Sequence, residues 1–509
     1  MRCTLALILA ITATVTWTSQ SQAQLTPTDA SHMGLEDAWS TQLQMPSDGR
    51  GLVSSDLWID SSKTTQYAVV ELTDRTIRIA ADLPDRRGNP IGIEEAKKLA
   101  GSQAARLLGK PDGFEVVEVS VPDIKLVLVS ANGLVQTLDA ETGKLLWSSV
   151  CGSTRAPAHP AAVSPLGISV IHGEHLYLLD WTTGKHVNVQ RLRFATSNAV
   201  AICKDLAFVS DFTGRVEAYG LNKRIPPWGY LIRGRAVGSP ATFSDQSFSG
   251  FATDQGYVFV FGAGETPEIW IRFQAASPIL GSMVAANKSF YVGDSNGTLT
   301  KFNTDDRSGR VIWEFTTGQT ISEPALVVGK DVFLATEAGE LVAIDDASGL
   351  ANWQISQRTR SVIGRAGGKV FFTTASGQVG AADAASGRLV GLSSPMNMGA
   401  ALPNKISDRI YIASASGRVQ CLRPIGEVLP NFIVPPPTTP ATTETDEGVT
   451  APEMPTESAS NPFEGFGAGA PASEANPFGG DDPFGGGAGG NAGADPDGMD
   501  NPFDNPFDN

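Results

Sequence analysis

Among the five histidines of this 509-residue chain, His172 and His175 bracket Gly173-Glu174. Two imidazoles and a carboxylate within four residues are the densest metal-like set in the sequence. A zinc site needs three or four such ligands in fixed geometry, and no further ligand is spaced to join them. The alternative use of His-Gly-Glu-His is a polar turn between two strands. Asp294-Ser295-Asn296-Gly297 carries oxygen ligands of the calcium kind, without the spaced acids and terminal Glu of a calcium loop. It occupies the same slot as Asp211-Phe212-Thr213-Gly214, which fits a hairpin turn. No Gly-x-Ser-x-Gly, Walker loop or His-Glu-x-x-His occurs, so nucleophilic and phosphoryl chemistry has no motif to rest on. Catalytic, cofactor-binding and metal-ligating residues are therefore each read as none. Beyond Cys3, the cysteines are Cys151, Cys203 and Cys421. An odd number is a poor disulfide framework, and small buried residues are the simpler reading.

These turns belong to a repeat. An apolar strand, a turn with Gly and a second strand recur, often followed by a second turn and a strand ending near Trp. Leu126–Trp147 (LVLVSANGLVQTLDAETGKLLW) is the first clear copy. The turn glycines are Gly133, Gly173, Gly214, Gly256, Gly297, Gly339, Gly377 and Gly417, at spacings of 40, 41, 42, 41, 42, 38 and 40 residues. A period near 40 with strand-turn-strand content predicts propeller blades of four strands each. Phe333/Ala335 and Leu341/Ala343 alternate as strands packed between blades do. Asn132-Gly133 and Asn296-Gly297 read as two-residue hairpin turns.

The segments LDAETGKLLW and AIDDASGLANW resemble the pyrroloquinoline-quinone (PQQ)-like, quinoprotein alcohol dehydrogenase-like repeat, and the chain is BamB-like in repeat type. No Gly-His…Trp-Asp signature of the other common propeller repeat is present. The resemblance implies a Thr/Ser-Gly turn between the third and fourth strands of each blade, and a fourth-strand Trp docking between blades. The docking residues are then Trp39, Trp147, Trp228, Trp270, Trp313 and Trp353. The resemblance covers about residues 35–423 and implies two functional classes. One is a noncatalytic protein-binding scaffold of the cell envelope, without cofactor. The alternative is a PQQ-dependent or other small-molecule-binding dehydrogenase-like enzyme; in the PQQ-dependent kind a calcium ion is held by Glu, Asn and Asp beside a catalytic Asp and, often, adjacent cysteines. No two cysteines of this chain are adjacent.

The eighth copy stops after its third strand, at Val419–Leu422. Leu35–Met45 reads as an orphan fourth strand with Trp39 at the docking position, which would remove an exposed edge. The fold expected is all-β: an eight-bladed propeller over residues 24–424, closed by an N-terminal strand. A small α/β insertion at 60–122 interrupts the first blade. It holds strand-like runs at Tyr67–Leu72, Thr76–Ala81 and Phe114–Val121, and a helix over Ile93–Leu108, with Glu94 and Glu95 in its first turn and Gly109 beyond its end.

Both ends differ from this body. Residues 1–23 have Arg2, an apolar run from Leu5 to Val15 and Ser21-Gln22-Ala23, the pattern of a signal peptide cut after Ala23. No later run is long enough to span a bilayer, so an exported, periplasmic or extracellular protein without a transmembrane span is expected. From Pro435 to Asn509 there are 14 acids and no Lys or Arg, whereas residues 1–434 carry 40 acids against 38 bases. The overall charge of −16 thus belongs to the tail, and a nucleic-acid partner is excluded for want of a basic footprint. Residues 425–509 are expected to be a disordered acidic segment. Asn-Pro-Phe recurs there at Phe463, Phe478, Phe503 and Phe507, with Asp-Pro-Phe at Phe484. Each copy offers one apolar ring on a turn, so the five phenylalanines are candidate anchors for a protein partner in the envelope.

Overall fold

A computed structural model describes residues 24–45 and 51–434, apart from 74, 112, 154, 155 and 265. The signal-peptide segment and the five candidate phenylalanines lie outside the described residues. Within them the chain forms eight antiparallel sheets, seven of four strands and one of five. Helix is confined, among these residues, to α1 (Pro27–His32) and α2 (Gly92–Leu108).

In six of the sheets the strands lie side by side in chain order. The third sheet, for example, runs Ala201–Cys203, Leu206–Ser210, Arg215–Gly220, Trp228–Leu231. Its second strand is buried at every residue, and so is Asp331–Ala335 of the sixth sheet. The outermost strands alternate between exposed and covered positions, as in Leu145–Val150. Inner strands are continuous apolar runs because both of their faces meet another sheet. In the sixth sheet Phe333, Ala335, Leu341 and Ala343 pack with Val362, Val370 and Phe372 of the seventh. The intervening Val332, Leu334, Val342 and Ile344 pack with Tyr291 and Trp313 of the fifth. Every consecutive pair of sheets shares such a core. The last also shares one with the first: Tyr411, Val419 and Cys421 pack with Ile124, Leu126 and Leu138.

The Asn-Gly hairpins differ from expectation. Gly133 (φ +85°) and Gly297 (φ +83°) are left-handed, but the preceding asparagines are not, as a two-residue type I′ turn would require. Asp294 N–H donates to Thr298 O at 3.0 Å and Gly297 N–H to Asp294 O at 3.1 Å. The loop therefore has three residues, a turn closed by a left-handed glycine, with Asp294 Oδ1 accepting from the N–H groups of Asn296 and Thr298.

β1 (Leu35–Gln42) pairs antiparallel with Arg418–Pro424 of the eighth sheet, Leu35 opposite Pro424 and Trp39 opposite Cys421. The insertion grows out of the first sheet rather than sitting beside it. β2 (Leu52–Glu71) is one 20-residue strand. It pairs over Leu52–Val69 with β4 (Val117–Ser130) and over Tyr67–Glu71, on its other edge, with β3 (Thr76–Ala80), with an irregularity between Asp60 and Thr64 where blade becomes insertion. α2 lays Ala96, Ala100 and Ala104, four residues apart, on Ala68, Val70 and Ile77. Gly109 at φ +67° ends it, as expected of a C-terminal glycine.

The expected start of the disordered tail at residue 425 is corrected. Residues 425–434 fold as a strap. Leu429 and Phe432 cover Tyr67, Val69 and Val121 on the insertion's other face. Ile433 N–H donates to Ile406 O at 2.8 Å, and Asp408 N–H to Asn431 O at 3.1 Å. The repeat pattern could not announce this segment, because its apolar residues serve a neighbour rather than a blade.

Candidate functional site

The tryptophans mark where one sheet meets the next. Trp39 Nε1 donates to Ala140 O, Trp147 to Trp181 O and Trp353 to Ala384 O, each at 2.9 Å. Trp313 Nε1 reaches Asp346 O at 2.9 Å and Trp270 reaches Thr304 O at 3.0 Å. Every acceptor lies one or two residues past the third strand of the following sheet. Trp228 packs instead edge-on to Phe208 and Phe261. Beneath four of the rings lies a left-handed glycine: Gly143, Gly184, Gly349 and Gly387, with φ between +66° and +72°. A Cβ on Gly143 would lie 2.3 Å from the Trp39 ring, and one on Gly387 2.6 Å from Trp353. The ring can dock only because the turn lacks a side chain.

A signal missed in the sequence explains these turns. An Asp precedes each of the four glycines by four residues: Asp139, Asp180, Asp345 and Asp383. Each carboxylate accepts from the hydroxyl and backbone N–H of Thr142, Thr183, Ser348 or Ser386. These hydrogen bonds hold Asp180, Asp345 and Asp383 below the usual carboxylate range.

The expected His-Gly-Glu-His turn does lie between two strands, Gly167–His172 and His175–Leu179, but it is not an exposed polar loop throughout. His172 is buried, with Nδ1 against Cys151 O and Nε2 2.5 Å from Ala156 O. Both nitrogens are thus engaged with main chain. Glu174 pairs with Arg191 at 3.1 Å. Among the described residues no three His, Cys, Asp or Glu side chains gather as a metal site. Cys151, Cys203 and Cys421 are free and buried, and burial pushes the Cys151 thiol up to about 12.

Two buried charge clusters were not legible beforehand. Arg409, 1% exposed, reaches Glu141 Oε1 at 3.2 Å and Asp408 Oδ1 at 3.0 Å. Arg78 of the insertion reaches Glu141 at 3.3 Å, and both arginines donate to Val428 O of the strap. One cluster thus ties together the first and eighth sheets, the insertion and the strap. In the other, Lys301 Nζ donates to Asp346 Oδ1 at 2.7 Å, and Tyr291 Oη and Asn287 Nδ2 complete that carboxylate's partners. Burial, then the Asp346 hydrogen bond, pushes the Tyr291 hydroxyl up.

On the surface, the guanidinium groups of Arg233 and Arg272 lie 5.1 and 5.2 Å from the Tyr257 ring. Phe212 and Leu231 of the neighbouring third sheet are 60% and 69% exposed. Arginine and aromatic side chains of this sort carry much of the energy at protein interfaces.

A family model described as outer membrane protein assembly factor BamB matches residues 254–427. No curated protein matches the sequence. Among solved structures, BamB from Moraxella catarrhalis aligns at a TM-score of 0.48 and 17% identity, covering 59% of this chain and 91% of that one. A computationally designed protein, Ika8, aligns at 0.47 and 13%, covering 58% and 92%. No helix among the described residues is long and apolar enough to cross a membrane. The match over residues 254–427 and the Asp-anchored glycine turn beneath Trp39, Trp147, Trp313 and Trp353 support a PQQ-like repeat propeller.

Proposed function

We propose that the protein is an exported, noncatalytic, eight-bladed propeller, closed by its N-terminal strand, that serves as a protein-binding scaffold in the cell envelope. The observation that carries this reading is the match of residues 254–427 to the family of an outer membrane protein assembly factor. The pairing of β1 with Arg418–Pro424 and the core shared by the eighth and first sheets support closure. A ring with no free end between blades is rigid, and rigid elements present a binding surface at low entropic cost. The exposed Arg233 and Arg272 over the buried Tyr257, with exposed Phe212 and Leu231, support a protein partner at the third and fourth sheets. The acidic segment beyond the strap supplies a second mode of capture. Each Asn-Pro-Phe copy binds weakly, and linked copies gain about 10²–10⁴ in avidity on a clustered partner.

The test is capture from envelope extract by three proteins: the mature chain, a chain ending at Val434, and a chain with Phe463, Phe478, Phe484, Phe503 and Phe507 all changed to Ala. The adaptor reading expects one set of partners to survive on all three and another to vanish from both altered chains. Identical capture by all three would remove the tail's role, and no specific capture by any would remove the scaffold. Reconstitution with PQQ and Ca²⁺ and a dye-linked alcohol oxidation assay separates the dehydrogenase alternative, which alone expects turnover.

A further inference from the structure

A cavity of about 300 Å³ opens between the seventh and eighth sheets, the junction of α1 with β1, and the strap. Lys369 enters it from the seventh sheet and stands over Gly34. A Cβ at Gly34 would lie 2.5 Å from Lys369 Nζ and would push the ammonium aside, and the φ of +79° at Gly34 favours glycine. Among the described residues, Lys369 Nζ donates to no carboxylate or carbonyl oxygen, although Asp408 and Glu427 line the same cavity. Asp408 is already engaged by Arg409 Nη1 at 3.0 Å and by Asn431 N and Nδ2 at 3.1 and 3.2 Å. Glu427 is exposed, and its one partner here is Asn431 Nδ2 at 3.4 Å. A half-exposed ammonium with no carboxylate partner and an exposed carboxylate with one partner thus line the same small space. Beside them, the Pro424 ring and Ile425, 56% exposed, form an apolar wall.

We infer that this cavity binds a small zwitterion of the amino-acid type with an apolar side chain. Its carboxylate sits on Lys369, its ammonium on Glu427, and its side chain against Pro424 and Ile425. The ligand's two charges then meet Lys369 and Glu427 together, which neither a simple anion nor a simple cation achieves. The volume is at the small end of ligand sites, about 300–1,000 Å³, and suits a single residue rather than a peptide.

Isothermal titration of the mature full chain with leucine, leucinamide and 4-methylpentanoate tests the site. Leucine is expected to bind with a Kd of about 1 mM or tighter. Leucinamide lacks the carboxylate and 4-methylpentanoate the ammonium, so each should bind at least tenfold more weakly. Lys369→Met should abolish leucine binding without moving Tm, and Gly34→Ala should weaken it by displacing the ammonium. Should Gly34→Ala fail to fold, Lys369→Met alone decides. No leucine binding at about 10 mM, equal binding of leucinamide, or unchanged binding by Lys369→Met overturns the proposal.

Discussion

Trp39→Ala tests whether the N-terminal strand locks a ring. The indole of Trp39 lies on Gly143 of the first sheet, donates to Ala140 O at 2.9 Å and has Tyr411 of the eighth sheet 6.1 Å away. Emptying a large aromatic site costs about 3–5 kcal/mol. Trp39 is only half-buried, which argues for the lower end. The lost Nε1 donor adds little, because Tyr411 Oη also donates to Ala140 O at 3.3 Å. The expected loss is therefore about 3 kcal/mol. Urea denaturation followed by far-ultraviolet circular dichroism measures it, with Trp353→Ala as the control. Trp353 makes the same contact with Ala384 O and Gly387 between the sixth and seventh sheets. In a closed ring the two interfaces are equivalent, and the two losses should agree within about 1 kcal/mol. A loss below about 1 kcal/mol for Trp39→Ala beside a full loss for Trp353→Ala would refute the reasoning, since β1 would then be a detachable strand.

Three further outcomes are expected. Arg409→Met leaves Glu141 with Arg78 alone and Asp408 without its buried counter-charge, so denaturant titration should show a loss of about 3–5 kcal/mol. A chain ending at Val434 should melt like the full chain. One ending at Pro424 uncovers Tyr67, Val69 and Val121 and should melt about 5–10 °C lower by calorimetry; equal melting of the two would deny the strap its role. Burial pushes Asp56 up from 3.8 to about 7, against the pull of Lys405. The folded state therefore holds a proton that the unfolded state releases, and stability falls as pH rises from about 4 to 7. Asp56→Asn removes this dependence, so its stability relative to the parent should be clearly higher at pH 8 than at pH 5, by denaturation at both pH values.

The sheets were legible because each repeat states its own turns. Gly at a spacing near 40 residues marks a left-handed loop position, and apolar runs between such glycines mark strands with both faces covered. α2 was legible from its first-turn acids and from Gly109. The loop length at Asn132-Gly133 and Asn296-Gly297 is not legible in the sequence, because a left-handed glycine suits both a two-residue turn and the last position of a three-residue loop. Only the strand register distinguishes them.

What the sequence determined by itself is local and periodic: strands, turns, the helix, and the tryptophans at the end of the repeat. These follow from backbone preference and from the alternation of side chains, which act within a few residues. What the tertiary structure decided is every relation between segments distant in the chain. Arg409 and Glu141 are 268 residues apart and Arg78 and Val428 are 350 apart. Lys369 and Gly34, which frame the small cavity, likewise meet only when the seventh sheet folds against the N-terminal segment. No local pattern encodes such pairs, because a buried charge is tolerated only by the partner that folding brings to it. For the same reason residues 425–434 read as the start of a tail and fold as a strap: their apolar side chains have no period of their own, and acquire a core only from the insertion they cover.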